Sequence, residues 1–183
     1  TIQDIVTDGN HMAHYTVTLG GVHNILVKNL KIYNKTVHPL SFNTFATKNV
    51  YQNCEIFAEP LLDQHSGANH QNLFDNITVH ISPDKNNSYL LFGGGGADYW
   101  KPSHGPFSTF WNLNVQVEKP VDSAKPILLY GMKDGPFARI IGVSGNAKFE
   151  VRYEPDGYIE FLNTSLDKVP SLYEYQLKKR LKN

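Results

Sequence analysis

Apolar and polar positions alternate along most of this chain in short runs, and the runs repeat. Four of them, 26–32, 50–56, 73–79 and 109–115, share one pattern. Each carries an asparagine at the same place (Asn29, Asn53, Asn76, Asn112), an apolar residue next and, two further on, Ile or Val. The asparagines stand 24, 23 and 36 residues apart. Period-two alternation predicts strands with one buried face. A repeat of this length predicts a β-solenoid, whose coils bury their inward faces only by stacking on one another. The third spacing is longer, and its surplus falls on an insertion at 93–106 that opens Gly93-Gly94-Gly95-Gly96. Those glycines are expected to let the chain leave the coil sharply.

Further runs at 15–19, 37–45, 127–131, 138–143, 147–153 and 158–163 are rich in β-branched and aromatic residues and bounded by Gly, Asn, Pro and Ser, which predicts more strands. The repeated asparagines are expected to stack as an internal amide ladder at a bend. One helix is predicted, at 171–181. Ser171 is its N-cap with Glu174 at the capping-box position, and Leu172, Tyr175, Leu177 and Leu181 form an apolar stripe. It should cap an open end or pack on the side. The chain thus reads as all-β and as one domain. Coils occupy 1–118 with the insertion at 93–106, and terminal strands and a capping helix occupy 119–183. It starts in mid-pattern at Thr1, which suggests the C-terminal part of a longer solenoid whose N-terminal coils would be its first partner.

Charge changes the picture only by exclusion. With 17 basic and 17 acidic residues there is no basic excess, so nucleic acid is not the expected partner. No apolar run approaches a membrane span. The single cysteine, Cys54, occupies the apolar slot after Asn53 and reads as a buried core thiol.

Candidate chemistry concentrates in two segments. The first, 59–72, holds Glu59, Asp63, His65 and His70; the second is the insertion, with Asp98, Tyr99, Trp100, Lys101 and His104. Adjacent coils lie about 4.8 Å apart, so like positions converge and the two segments could face each other across a groove. A third candidate segment runs from Lys133 to Arg139. His11, His14, His23, His38 and His80 are scattered, and no close-spaced ligand set recurs, so neither a metal nor another cofactor is expected. Gly93 to Gly96 is no phosphate loop, since no Lys-Ser/Thr follows.

The coil length, asparagine pattern and strand spacing resemble right-handed parallel β-helix proteins, above all pectate-lyase-like polysaccharide lyases and glycoside hydrolases. Residues 63–76 and 171–177 also resemble a bacterial domain of unknown function found at the C-terminal end of such enzymes. The resemblance implies a polysaccharide or oligosaccharide partner in a side groove, with aromatic stacking, and a secreted, periplasmic or cell-surface location. The pectate-lyase calcium carboxylate cluster is not visible, so Ca²⁺ stays an open option that the sequence does not indicate.

Two chemistries fit. A hydrolase needs two carboxylates, for which Asp63 and Asp98 are the candidates with Glu59 in reserve. A lyase needs a base, His65 or His70, an acid, Tyr99, and a neutralising cation, Lys101 or Arg139. Hydrolysis is slightly favoured. Trp100 and His104 would help bind substrate. The competing readings are a non-catalytic carbohydrate-binding or adhesive β-helix, and a structural piece of an enzyme whose site lies in other coils.

Overall fold

The computed structural model describes residues 1–95, 104–119, 122 and 124–182. The protein is all-β, with two parallel sheets and one short helix. The larger sheet contains β1 (Ile2–Thr7), β3 (Leu26–Ile32), β5 (Val50–Gln52), β6 (Glu55–Ile56), β8 (Leu73–Asp75), β9 (Thr78–Ile81), β11 (Thr109–Val117), β13 (Arg139–Gly145) and β15 (Tyr158–Leu162). The smaller contains β2 (Ala13–Leu19), β4 (Thr36–Phe42), β7 (Leu62–His65), β10 (Ser88–Gly95), β12 (Ile127–Gly131) and β14 (Phe149–Tyr153). The chain alternates between the two sheets, so each circuit adds a rung to both.

The inward faces meet in one core. Phe42, Phe74 and Phe110 come from successive circuits: Phe42 meets Phe74 edge-on at 4.7 Å, Phe74 stacks on Phe110 at 5.0 Å, and Phe92 is edge-on to Phe110 at 5.0 Å. Tyr51 is fully buried, and its hydroxyl donates to the carbonyls of Val17 and Ser41, which removes the cost of an unpaired buried polar group. Cys54 is also buried, and burial pushes its thiol up to about 12.

The repeated asparagines fall at one bend of the larger sheet: Asn53 and Asn76 separate β5 from β6 and β8 from β9, while Asn29 and Asn112 lie within the continuous strands β3 and β11. Asn29, Asn53, Asn76 and Asn112 all adopt left-handed backbone, φ between 51 and 56°, which Asn tolerates better than other side-chain-bearing residues. Their amides do connect circuits: Asn112 donates to Asn76, and Asn76 to Asn53, at 2.9 and 2.8 Å. The ladder is not internal, however. Asn29 and Asn53 are exposed, and Asn29 donates instead to Asp4 at 2.7 Å. The internal pair is Asn49 and Asn72, both buried, with the side-chain amide and backbone N–H of Asn49 donating to the side-chain Oδ1 of Asn72.

Two further expectations change. Gly93 to Gly95 do not leave the coil: they continue β10, in register with Asp63, Gln64 and His65 of β7. Their small size serves close packing, since a Cβ on Gly93 would lie 2.9 Å from the Leu61 side chain and one on Gly94 would lie 2.6 Å from Met132 Sδ. Helix α1 (Leu172–Arg180) forms with Ser171 as its N-cap, the side chain accepting from the Glu174 N–H. It packs on the side of the larger sheet, but not through an apolar stripe, for none of its residues is buried. Its N-terminus is pinned instead by buried Asp75, which accepts from Ser171 Oγ (2.6 Å) and the N–H groups of Leu172 (2.8 Å) and Tyr173 (3.1 Å). Among the described residues, no helix is long and apolar enough to cross a membrane.

Candidate functional site

The smaller sheet carries the site on its outer face. Alternation along β7 turns Gln64 into the core and leaves Asp63 and His65 on the opposite face. Ser41 of β4 lies in register with Asp63, and Gly93 of β10 continues the row on the other side. The missing side chains at Gly93 and Gly95 leave a groove of about 520 Å³ beside Asp63 and His65. His38, Asp63 and His65 line one part of it. Tyr130, Lys133, Arg152 and Glu154 line another, with the Arg152 guanidinium 5.6 Å from the Tyr130 ring centre.

Asp63 is the hub of the polar part. Its carboxylate accepts from Ser41 Oγ at 2.7 Å. Its Oδ2 lies 3.0 Å from His38 Nδ1 and 3.8 Å from His65 Nδ1. The His38 contact is close but not aligned as a hydrogen bond, and this buried nitrogen has no hydrogen-bond partner among the described residues. The Asp63 side chain is only 3% exposed, against 22% for His65, so the cluster opens to the groove through His65. The rings of His38 and His65 meet edge to face at 4.3 Å, and Tyr15 stacks on His38 at 4.7 Å. Burial holds the His65 imidazole below its ordinary value. Asp63 opposes that shift, and His38, His104 and His14 reinforce it. A neutral imidazole set beside a carboxylate can accept a proton or ligate a metal.

The sequence candidates separate in space. Asp63 and His65 belong to the groove. His104 is buried close enough to His65 to act on it electrostatically, its backbone N–H donates to Asp134 at 3.2 Å, and its Nδ1 has no partner among the described residues. His70 is not among the groove's lining; it forms an isolated bridge with Thr47. Glu59 is exposed and paired with Lys35. Arg139 is in the larger sheet, beside a different surface hollow with Phe137 and Tyr158. Asp98, Tyr99, Trp100 and Lys101 lie outside the described residues.

His38 was among the scattered histidines from which no ligand set was expected. The fold brings His38, alone of these, to Asp63 and His65, with ligand atoms all within 4.8 Å of one another. Ser41 and Arg152 also join the site unforeseen, and Lys133 enters it from the third candidate segment, 133–139. One signal points to part of this group: Ser41 precedes Asp63 by 22 residues, close to the repeat length, so polar positions one repeat before Asp63 and His65 converge on them.

Comparison with known proteins finds no match: no family model, no curated protein and no solved structure aligns with this chain.

Proposed function

We propose that this chain is a right-handed parallel β-helix that cleaves an acidic polysaccharide lying along the groove of the smaller sheet, by β-elimination. The observation that carries the reading is a single groove with an imidazole–carboxylate cluster in one part and two cations, Lys133 and Arg152, in another. Elimination next to a uronate needs both. A base removes the proton α to the carboxyl group, positive charge stabilises the enolate that forms, and the glycosidic C–O bond then breaks to leave a double bond while a proton reaches the departing oxygen. His65, the most open member of the cluster, is the proton acceptor in this reading. Asp63 orients it, and Lys133 and Arg152 hold the carboxylate. Tyr130 offers a ring for a sugar face.

Hydrolysis is the second reading. Glu154 lines the same groove as Asp63, and two carboxylates are what a glycoside hydrolase requires. A secreted, periplasmic or surface location, and further coils of the same protein as a partner, belong with either reading.

A panel of acidic and neutral polysaccharides tests the choice, following reducing ends and the ultraviolet absorbance of unsaturated uronates together. Both signals, lost in His65→Ala, support elimination. Reducing ends alone move the chemistry to Asp63 and Glu154. Binding without cleavage makes the groove a carbohydrate-binding surface.

A further inference from the structure

The His38–Asp63–His65 cluster has the geometry of a metal site. With metal–ligand bonds of about 2.1 Å, neighbouring ligands sit about 3.0 Å apart in an octahedron and about 3.4 Å apart in a tetrahedron. The cluster's oxygen–nitrogen separations are 3.0 and 3.8 Å, and all three ligand atoms lie within 4.8 Å of one another. His38 Nδ1 is buried beside a carboxylate oxygen yet makes no hydrogen bond among the described residues. A cation between them would satisfy both.

The surroundings suit an ion as well. All three ligands stand on two hydrogen-bonded strands, so their spacing is fixed by the sheet. Ser41 donates to Asp63, the outer hydrogen bond that orients a ligating carboxylate. Tyr15 stacks on His38 and restrains its ring. On the groove side the neighbouring position is Gly95, where even an added Cβ would stay 3.8 Å from His65 Nδ1, so coordination positions remain open for water or substrate.

We propose that His38, Asp63 and His65 bind one divalent first-row transition ion. Two imidazole nitrogens and one carboxylate favour zinc, cobalt, nickel or iron over calcium or magnesium, which prefer all-oxygen sets. The inference goes beyond the cleavage reading and touches it at one point: an ion there occupies the imidazole that elimination would use, so saturating Zn²⁺ silences cleavage.

Calorimetric titration of the chelator-treated chain with Zn²⁺, and visible absorption with Co²⁺, test the site without any glycan. One ion per chain is expected, with cobalt ligand-field bands. His38→Ala, His65→Ala and Asp63→Asn should each weaken binding beyond the about 10–100-fold that loss of an outer partner costs, and Ser41→Ala should fall within that range. His80→Ala, which removes a histidine paired with Glu55 on the larger sheet, should leave binding unchanged. Circular dichroism of each metal-free variant separates lost ligation from lost folding. No saturable binding, or binding that survives both His38→Ala and His65→Ala in folded protein, would overturn the site. A silent glycan screen leaves it standing, and absent metal binding leaves the cleavage reading to its own test.

Discussion

Ser41 Oγ donates to Asp63 Oδ2 at 2.7 Å across β4 and β7, and both side chains are almost fully buried. Ser41→Ala takes a donor from a buried carboxylate without opening a large cavity. A buried acceptor left short of a partner costs about 1–3 kcal/mol. Urea denaturation should show a loss of that size, and Asp63→Asn should make the Ser41→Ala change cheaper in a double-mutant cycle. Additive losses would mean that the two side chains do not act together.

Gly95 and Gly131 sit on adjacent circuits and should respond differently to alanine. Gly131 has φ 145°, and a Cβ there would lie 2.0 Å from the Phe92 carbonyl oxygen, a backbone atom that cannot step aside. Gly131→Ala should therefore destabilise by several kcal/mol or prevent folding. A Cβ on Gly95 meets only His65 Nδ1, at 3.8 Å. Gly95→Ala should keep the melting temperature near that of the parent. Thermal melts of the two variants side by side decide the point.

How much of this was legible in the sequence depends on what each residue type reports. The strand runs, the Ser171 cap and the buried Cys54 follow from local pattern, and they appear where that pattern places them. Asp63 and His65 were legible as candidates because they crowd one segment. His38 was not, for its partners lie about one circuit away and only strand register brings them together. The glycine run misled because Gly marks both a sharp exit and a close approach, and only the position of Leu61 and Met132 tells which. The stripe on α1 misled because only Leu172 and Leu177 of it are half-buried while Tyr175 and Leu181 are exposed, and the helix N-terminus is tied to the sheet by hydrogen bonds with Asp75 and Gln52.

Asn76 tests the outer ladder. It accepts from Asn112, donates to Asn53 and has φ 56°. Asn76→Gly keeps the backbone conformation easy but removes both amide bonds. Asn76→Ala removes them and also places a Cβ in left-handed backbone, at about 1–2 kcal/mol. Alanine should therefore be worse than glycine, the reverse of their order in ordinary strand positions. Equilibrium unfolding of the two variants measures the difference, and alanine equal to or better than glycine would show that the φ constraint carries no weight.

Asp75 gives the fold a pH dependence of predictable sign. Burial raises its carboxyl above the ordinary 3.8, against the lowering effect of the hydrogen bonds from Ser171, Leu172 and Tyr173. The folded chain thus holds this proton more tightly than the unfolded chain. Between the unfolded value and the raised folded one, the native state binds more protons, so this group's contribution to stability falls as pH rises and levels off above the folded value. Asp75→Asn cannot titrate, and its amide loses acceptor capacity for the helix N-terminus. Urea melts of parent and Asp75→Asn from acid to neutral pH should show the parent's advantage greatest at the acid end and shrinking as pH rises through that window. Amide exchange in Leu172–Arg180 should quicken in the variant, because the helix keeps its Ser171 cap but loses part of its anchor on the sheet. An advantage that instead grew with pH would mean that the ionised carboxylate binds the helix N-terminus more strongly than burial penalises its charge.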